Sequence, residues 1–172
     1  MAKVAIKSKV IIYIIVALVA IVVALALINR PSGDLSPASL TFSQGGKVLH
    51  TFTLEEIKDM PGISVEKSIN SSKHDDESGV FTGVPLHNLI NAVDANLLTG
   101  ERNFITRAED GFASVFATYE VIEPDNILVV YAKDGKSLGS YEEGGTGPLR
   151  IIIQGDAFGN RSTKYLKEIE VK

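Results

Sequence analysis

The sequence predicts an α+β domain that is mainly β, is built around a dominant mixed sheet, and is preceded by one transmembrane helix. Many short apolar runs are separated by Gly, Pro, Asn and Asp, and only a few segments show helical spacing. These two observations predict the domain. A long uncharged aliphatic run near the N-terminus predicts the transmembrane helix.

The domain begins with a predicted hairpin and a short helix. Two alternating runs, at residues 40–43 and 48–52, flank Gly45-Gly46, which favours a tight turn between paired strands. Thr53 and Glu56 have the spacing of a capping box, in which each side chain binds a backbone N–H group of the other residue. A short helix is therefore expected to start after Thr53.

Strands and one further helix account for the rest of the domain. Residues 85–93 place apolar side chains at helical spacing, and Pro85 suits a first helical turn. Asp110-Gly111 predicts a turn between paired strands. Further strands are expected at 63–69, 103–107, 112–118, 127–132, 151–153 and 165–171, and an exposed polar loop at 70–78.

The N-terminal run at residues 10–28 is uncharged and has the length of a membrane anchor. At about 1.5 Å per residue it spans roughly 28 Å, close to the thickness of a bilayer's hydrocarbon core. Lys3, Lys7 and Lys9 precede it, which favours a cytoplasmic N-terminus. A cleaved signal peptide ending near Ala24-Leu25-Ala26 is the alternative.

The resulting division is a cytoplasmic segment (1–9), an anchor (10–28), a linker rich in Pro, Gly and Ser (29–37) and one domain (38–172). The predicted location is the cell membrane, crossed once, with the domain on the extracytoplasmic side. The membrane is thus one expected partner of the chain.

Composition narrows the function of the domain. All 21 Asp and Glu residues but only 13 of the 17 Lys and Arg residues follow residue 30, which gives that part eight more acids than bases. Such a surface repels phosphates, so we expect no nucleic-acid partner. The sequence contains no cysteine, which excludes disulfides, thiolate metal sites and cysteine nucleophiles.

Five motifs, in the same order, resemble the molybdopterin-binding oxidoreductase domain of the sulfite-oxidase type, and together they span residues 81–166 of the predicted domain. The motifs are F-T-G-V-P-L at 81–86, A-E-D-G-F at 108–112, I-L-V-V-Y followed by D-G-K-S-L at 127–138, G-P-L-R at 147–150, and S-T-K-Y-L at 162–166. The resemblance implies the fold of that family and a pocket for the phosphate of a pterin. Molybdopterin is the cofactor that it implies.

The same resemblance assigns candidate cofactor-binding residues. Arg150, Ser162 and Lys164 match positions near the pterin phosphate, and Arg, Lys and Ser side chains suit a phosphate chemically. Ser68 stands where the family has the cysteine that binds the metal. No catalytic residue and no metal ligand are predicted.

Other interpretations of these residues stay open. Arg150 is either a ligand-binding residue or a structural residue paired with an acidic neighbour. Ser162 and Lys164 either bind the ligand together, as residues two apart on a strand, or begin a solvated strand.

Three functions follow from this sequence. The first is a membrane-anchored extracytoplasmic domain that binds a pterin-like or other anionic ligand, or a protein partner, without cysteine-held metal. The second is an active molybdenum or tungsten pterin oxidoreductase with unconventional metal ligation, and the third is a structural surface domain. The sequence resembles those enzymes but lacks their thiol, so it leaves open whether the chain is an enzyme.

Overall fold

The computed structural model describes residues 13–21, 38–71 and 76–172. The chain divides into two compact units, Met1–Leu35 and Ser36–Lys172. In the first unit, residues 13–21 form a helix with exposed side chains. Among the described residues, no helix has the length and hydropathy needed to cross a membrane. The rest of the predicted anchor, and the predicted segments 1–9 and 29–37, lie outside the described residues.

The described part of the second unit, residues 38–71 and 76–172, contains ten strands, three α-helices and two 3₁₀ turns. The strands are β1 (Ser39–Gln44), β2 (Lys47–Thr53), β3 (Ile63–Ile69), β4 (Glu77–Pro85), β5 (Asn103–Ala108), β6 (Ala113–Ala117), β7 (Ile127–Lys133), β8 (Lys136–Ser137), β9 (Arg150–Ile153) and β10 (Leu166–Val171). The helices are α1 (Leu54–Asp59), α2 (Leu86–Asp94) and α3 (Thr118–Ile122), and the 3₁₀ turns are Ala95–Leu98 and Gly159–Arg161.

The strands form two sheets, whereas the sequence predicted a single dominant one. The first sheet has the order β2-β1-β10-β5-β6, with β1 and β10 parallel and the other pairs antiparallel. The second has the order β3-β4-β7-β8, and β9 also pairs with β7; all of its pairs are antiparallel. The mainly β, α+β class is confirmed. The division into two sheets depends on long-range pairing, which periodicity does not encode.

Both faces of the second sheet are buried near β7. Ile127 and Val129 belong to the large core, which also contains residues of the first sheet and of α2. Leu128 and Val130 point to the opposite face and join a smaller cluster with Phe81. Burial on both faces explains why β7 is continuously apolar in the sequence.

Most of the predicted elements are present. Gly45 and Gly46 adopt φ values of 57° and 78°, which a tight hairpin turn requires. The capping box of Thr53 and Glu56 is formed at the start of α1. Two predictions are wrong: Thr118, the last residue of the predicted strand 112–118, begins α3, and β4 starts at Glu77, inside the predicted loop 70–78. Residues 72–75 of that loop lie outside the described residues.

Candidate functional site

Arg150 begins β9 and is 2% exposed. It lies opposite Val130 in the register of β7 and β9. Ile152, two residues later, shares its face of the strand and belongs to the smaller core cluster. A guanidinium in such surroundings must be paired, because an isolated buried charge is very unfavourable.

Protein groups supply the partners of Arg150. Its Nη1 donates to Oε2 of Glu77 at 2.8 Å, and its Nε donates to Oγ of Ser162 at 2.9 Å. The Ser162 hydroxyl in turn donates to the carbonyl of Ile151 at 2.6 Å. The Arg150 Cζ atom lies 5.8 Å from the centre of the Phe81 ring. These contacts are those of a structural arginine, the second of the two interpretations that the sequence left open.

Glu77 also forms an ion pair with a second basic residue, Lys133. Lys133 Nζ lies 3.1 Å from Glu77 Oε1, and Gly79 leaves room for the lysine stem, since a Cβ atom there would lie 2.5 Å from Lys133 Cε. Partial burial raises the pKa of Glu77, but the charges and hydrogen bonds of Arg150 and Lys133 together outweigh burial, so the pKa lies below its usual value. Sequence reasoning missed Glu77 because it follows a run of charged residues that resembles a solvated loop.

Ser162 and Lys164 do not share a strand face. Both precede β10, which starts at Leu166 because Tyr165 has a left-handed φ of 52°. Ser162 is buried against Arg150, whereas Lys164 is exposed to solvent. The two side chains therefore lie in different environments, and this arrangement does not support the interpretation in which they bind one ligand side by side.

Ser68 lies on the opposite face of the second sheet from Glu77. In the register of β3 and β4, Ser68 is opposite Ser78 and Ile69 is opposite Glu77. Successive side chains of a strand point to opposite faces, so the Ser68 hydroxyl points away from the Glu77–Arg150 pair. It is exposed and lies 3.0 Å from the Ser78 hydroxyl. The structure therefore does not bring Ser68 together with Arg150.

The loop between β9 and β10 is held by its own arginine. Arg161 binds Asp156 through Nε and Nη2 at 2.8 and 2.7 Å, and it binds Glu120 of α3 through Nη1 at 2.7 Å. The hydrogen bonds to Asp156, with those to Glu120, raise the pKa of Arg161 above its usual value although burial opposes the shift. The N–H of Gly159 donates to the carbonyl of Asn70, so this loop amide is also engaged within the protein.

A cavity of about 370 Å³ lies at segments that the family resemblance singled out. Its described lining consists of Glu109, Asp110, Tyr141, Glu142 and Tyr165. The two tyrosine rings meet edge to face with their centres 5.2 Å apart. Three of these five residues carry carboxylates and none is basic, so the cavity disfavours a phosphate.

Comparison with known proteins identifies the class of domain. Residues 39–172 match the family model of the oxidoreductase molybdopterin binding domain. The match covers more than half of the chain, so the chain belongs to this family, and the resemblance carried by the five motifs is confirmed. No curated protein matches the sequence.

A solved structure has a similar fold. The sulfane dehydrogenase SoxCD from Paracoccus pantotrophus aligns with a TM-score of 0.62 and 17% identity, over 77% of this chain and 37% of that chain. This chain thus matches little more than a third of the SoxCD chain. At this identity the likeness shows the fold alone.

The family implies a molybdopterin cofactor, and the side chains present do not fit the usual way of holding it. The sequence contains no cysteine, and within residues 13–21, 38–71 and 76–172 no group of three or more metal-binding side chains is found. Arg150 and Arg161, which suit a phosphate chemically, are both paired with carboxylates. A pterin phosphate at Arg150 would therefore have to displace Glu77.

Proposed function

We propose that the chain is a membrane-anchored extracytoplasmic domain that binds a pterin-like or other anionic ligand without molybdenum held by a cysteine. The absence of a thiolate donor carries this proposal, because a serine hydroxyl is rarely ionised near neutral pH and is a poor ligand for the metal. Membership of the molybdopterin-binding family supports a ligand of this kind.

The anchor is the second part of the proposal. The uncharged run at 10–28 and the three lysines before it support a single membrane-spanning helix with the N-terminus inside. The domain at 38–172 has seven more acids than bases, which makes it a poor partner for the negatively charged cytoplasmic face of a membrane and supports placing it on the opposite side.

Metal and pterin content test the proposal directly. The full chain is purified in detergent from its native host and assayed for molybdenum, tungsten and pterin by elemental analysis and by fluorescence after oxidation. We expect metal well below one equivalent, together with an anionic small molecule that is released on denaturation. Stoichiometric metal with pterin would instead establish an oxidoreductase with unconventional ligation. If the protein contains no metal and releases no anion, the result would indicate a structural domain.

A further inference from the structure

Arg102 differs from the other arginines of the described part of the chain. Arg107, Arg150 and Arg161 each form an ion pair with at least one carboxylate. Arg102 forms no ion pair with any described residue, and its Nε is buried without a hydrogen-bond partner there. A buried donor that lacks a partner destabilises a fold, so its presence needs an explanation.

The backbone at Arg102 is fixed although its guanidinium has no partner. The Arg102 N–H donates to Oγ1 of Thr118 at 2.9 Å, and the Thr118 N–H donates to the Arg102 carbonyl at 3.0 Å. These bonds join the start of β5 to the start of α3. The main chain of Arg102 is therefore fixed, so the origin of its side chain is at a defined position beside α3.

Arg102 lines a groove of about 690 Å³ that also has apolar walls. Two large side chains of α3, Tyr119 and Ile122, line it and are 73% and 51% exposed. Leu98 contributes a further apolar surface. A charged group beside apolar and aromatic walls is the usual composition of a site for a small amphipathic molecule.

The charges around the groove restrict the ligand. Glu101 also lines it and is exposed, so one negative charge is already present in the groove. The domain as a whole is acidic, which further opposes a phosphate with two or more charges. A carboxylate carries one charge and matches the planar fork of a guanidinium.

We propose that the groove at Arg102 binds a small monocarboxylate with an apolar or aromatic body. The carboxylate pairs with the Arg102 guanidinium, and the body packs on Tyr119 and Ile122. This inference rests on the proposed anion-binding function. It places the anion at Arg102 and not at Arg150, because no described carboxylate lies within ion-pair distance of Arg102.

The test uses 2-naphthoate and its neutral analogue 2-naphthamide as probes of the full chain in detergent, with affinity measured by calorimetry. We expect 2-naphthoate to bind at least about tenfold more tightly than the amide, since a charge-assisted hydrogen bond is lost with the carboxylate. Arg102→Gln should remove this preference. Arg107→Gln, which lies five residues later on β5 and is paired with Glu170, is the matched control and should keep it.

Melting temperature separates binding from folding. Because Nε of Arg102 is buried without a hydrogen-bond partner in the described structure, Arg102→Gln should melt at or above the wild-type temperature. Loss of an arginine that stabilised the fold would instead lower the melting temperature. Tyr119→Ala should lower the affinity for both probes, since it removes an apolar wall of the groove and no charge.

The outcomes distinguish this inference from the proposed function. The inference is overturned if 2-naphthoate does not bind, or if its preference over the amide survives in Arg102→Gln. If that preference is lost in Arg150→Ala and kept in Arg102→Gln, anion binding stands and its site is Arg150. Metal with pterin in the native protein would overturn the proposed function whatever the probes show.

Discussion

Glu77 and Arg150, 73 residues apart in the sequence, form an ion pair in which the Arg150 Nη1 donates to the Glu77 Oε2 at 2.8 Å. Arg150 is 2% exposed and Glu77 28% exposed at the side chain. The pair joins the first residue of β4 to the first residue of β9. It gives the arginine of the G-P-L-R motif a carboxylate partner within the protein.

Replacing Arg150 tests whether it is structural. We expect Arg150→Ala to lower the free energy of unfolding by about 2–4 kcal/mol, somewhat less than a fully buried pair because Glu77 is partly exposed. Urea unfolding measures the loss. Affinity for an anionic probe, corrected for the folded fraction, should not change. A drop in affinity of about tenfold or more with unchanged stability would show instead that Arg150 is a ligand-binding residue.

The pH dependence of stability depends on Glu77. Its pKa is depressed in the folded protein, so the stabilisation is fully present above the unfolded pKa of about 4.3 and is lost as the pH falls through the folded pKa. Unfolding of the wild type and of Glu77→Gln is compared between pH 7 and pH 3. The advantage of the wild type should shrink below about pH 4, and an advantage that stays constant over this range would contradict the assignment.

Gly83 tolerates no side chain. A Cβ atom there would lie 2.3 Å from the carbonyl oxygen of Val129 and 2.6 Å from the Cα of Val130, both backbone atoms of β7. Gly83→Ala should therefore destabilise the domain by about 3 kcal/mol or more, since β4 and β7 must separate. Gly111→Ala, at a φ of 86° with open space, serves as a comparison and should cost only about 1–2 kcal/mol. Equal losses for the two variants would argue against a backbone clash.

Ser68→Cys should not create a metal site. The side chain at this position is exposed and faces away from the Glu77–Arg150 pair. We expect the new thiol to react rapidly with a thiol reagent in the folded protein, and the molybdenum content after expression in a molybdenum-replete host to stay at the wild-type level. A protected thiol accompanied by bound metal would show that Ser68 does occupy the position of the family's cysteine.

Protease treatment of intact cells tests the predicted topology. If residues 10–28 anchor the chain with the N-terminus inside, an external protease should digest the domain and leave a short membrane-bound stub. Protection of the whole domain would contradict the orientation. A soluble mature protein that starts near Leu27 would show that the segment is a cleaved signal peptide.

The sequence by itself determined the local elements and the family. Hairpin turns, capping boxes and helical spacing depend on residues a few positions apart, so Gly45-Gly46, Thr53 with Glu56, and residues 85–93 were predictable. The ordered motifs were sufficient for the family, because they report the same chain order of strands and turns.

Only the tertiary structure decided which groups the candidate site residues contact. Arg150 meets Glu77 because β7 brings β4 and β9 together, and that pairing joins segments more than 70 residues apart. Ser162 is buried whereas Lys164 is exposed, and the register of β3 turns Ser68 away from the Glu77–Arg150 pair. Long-range pairing and single backbone angles are set by the packing of the whole domain, so a one-dimensional pattern does not reveal which charges remain free for a ligand.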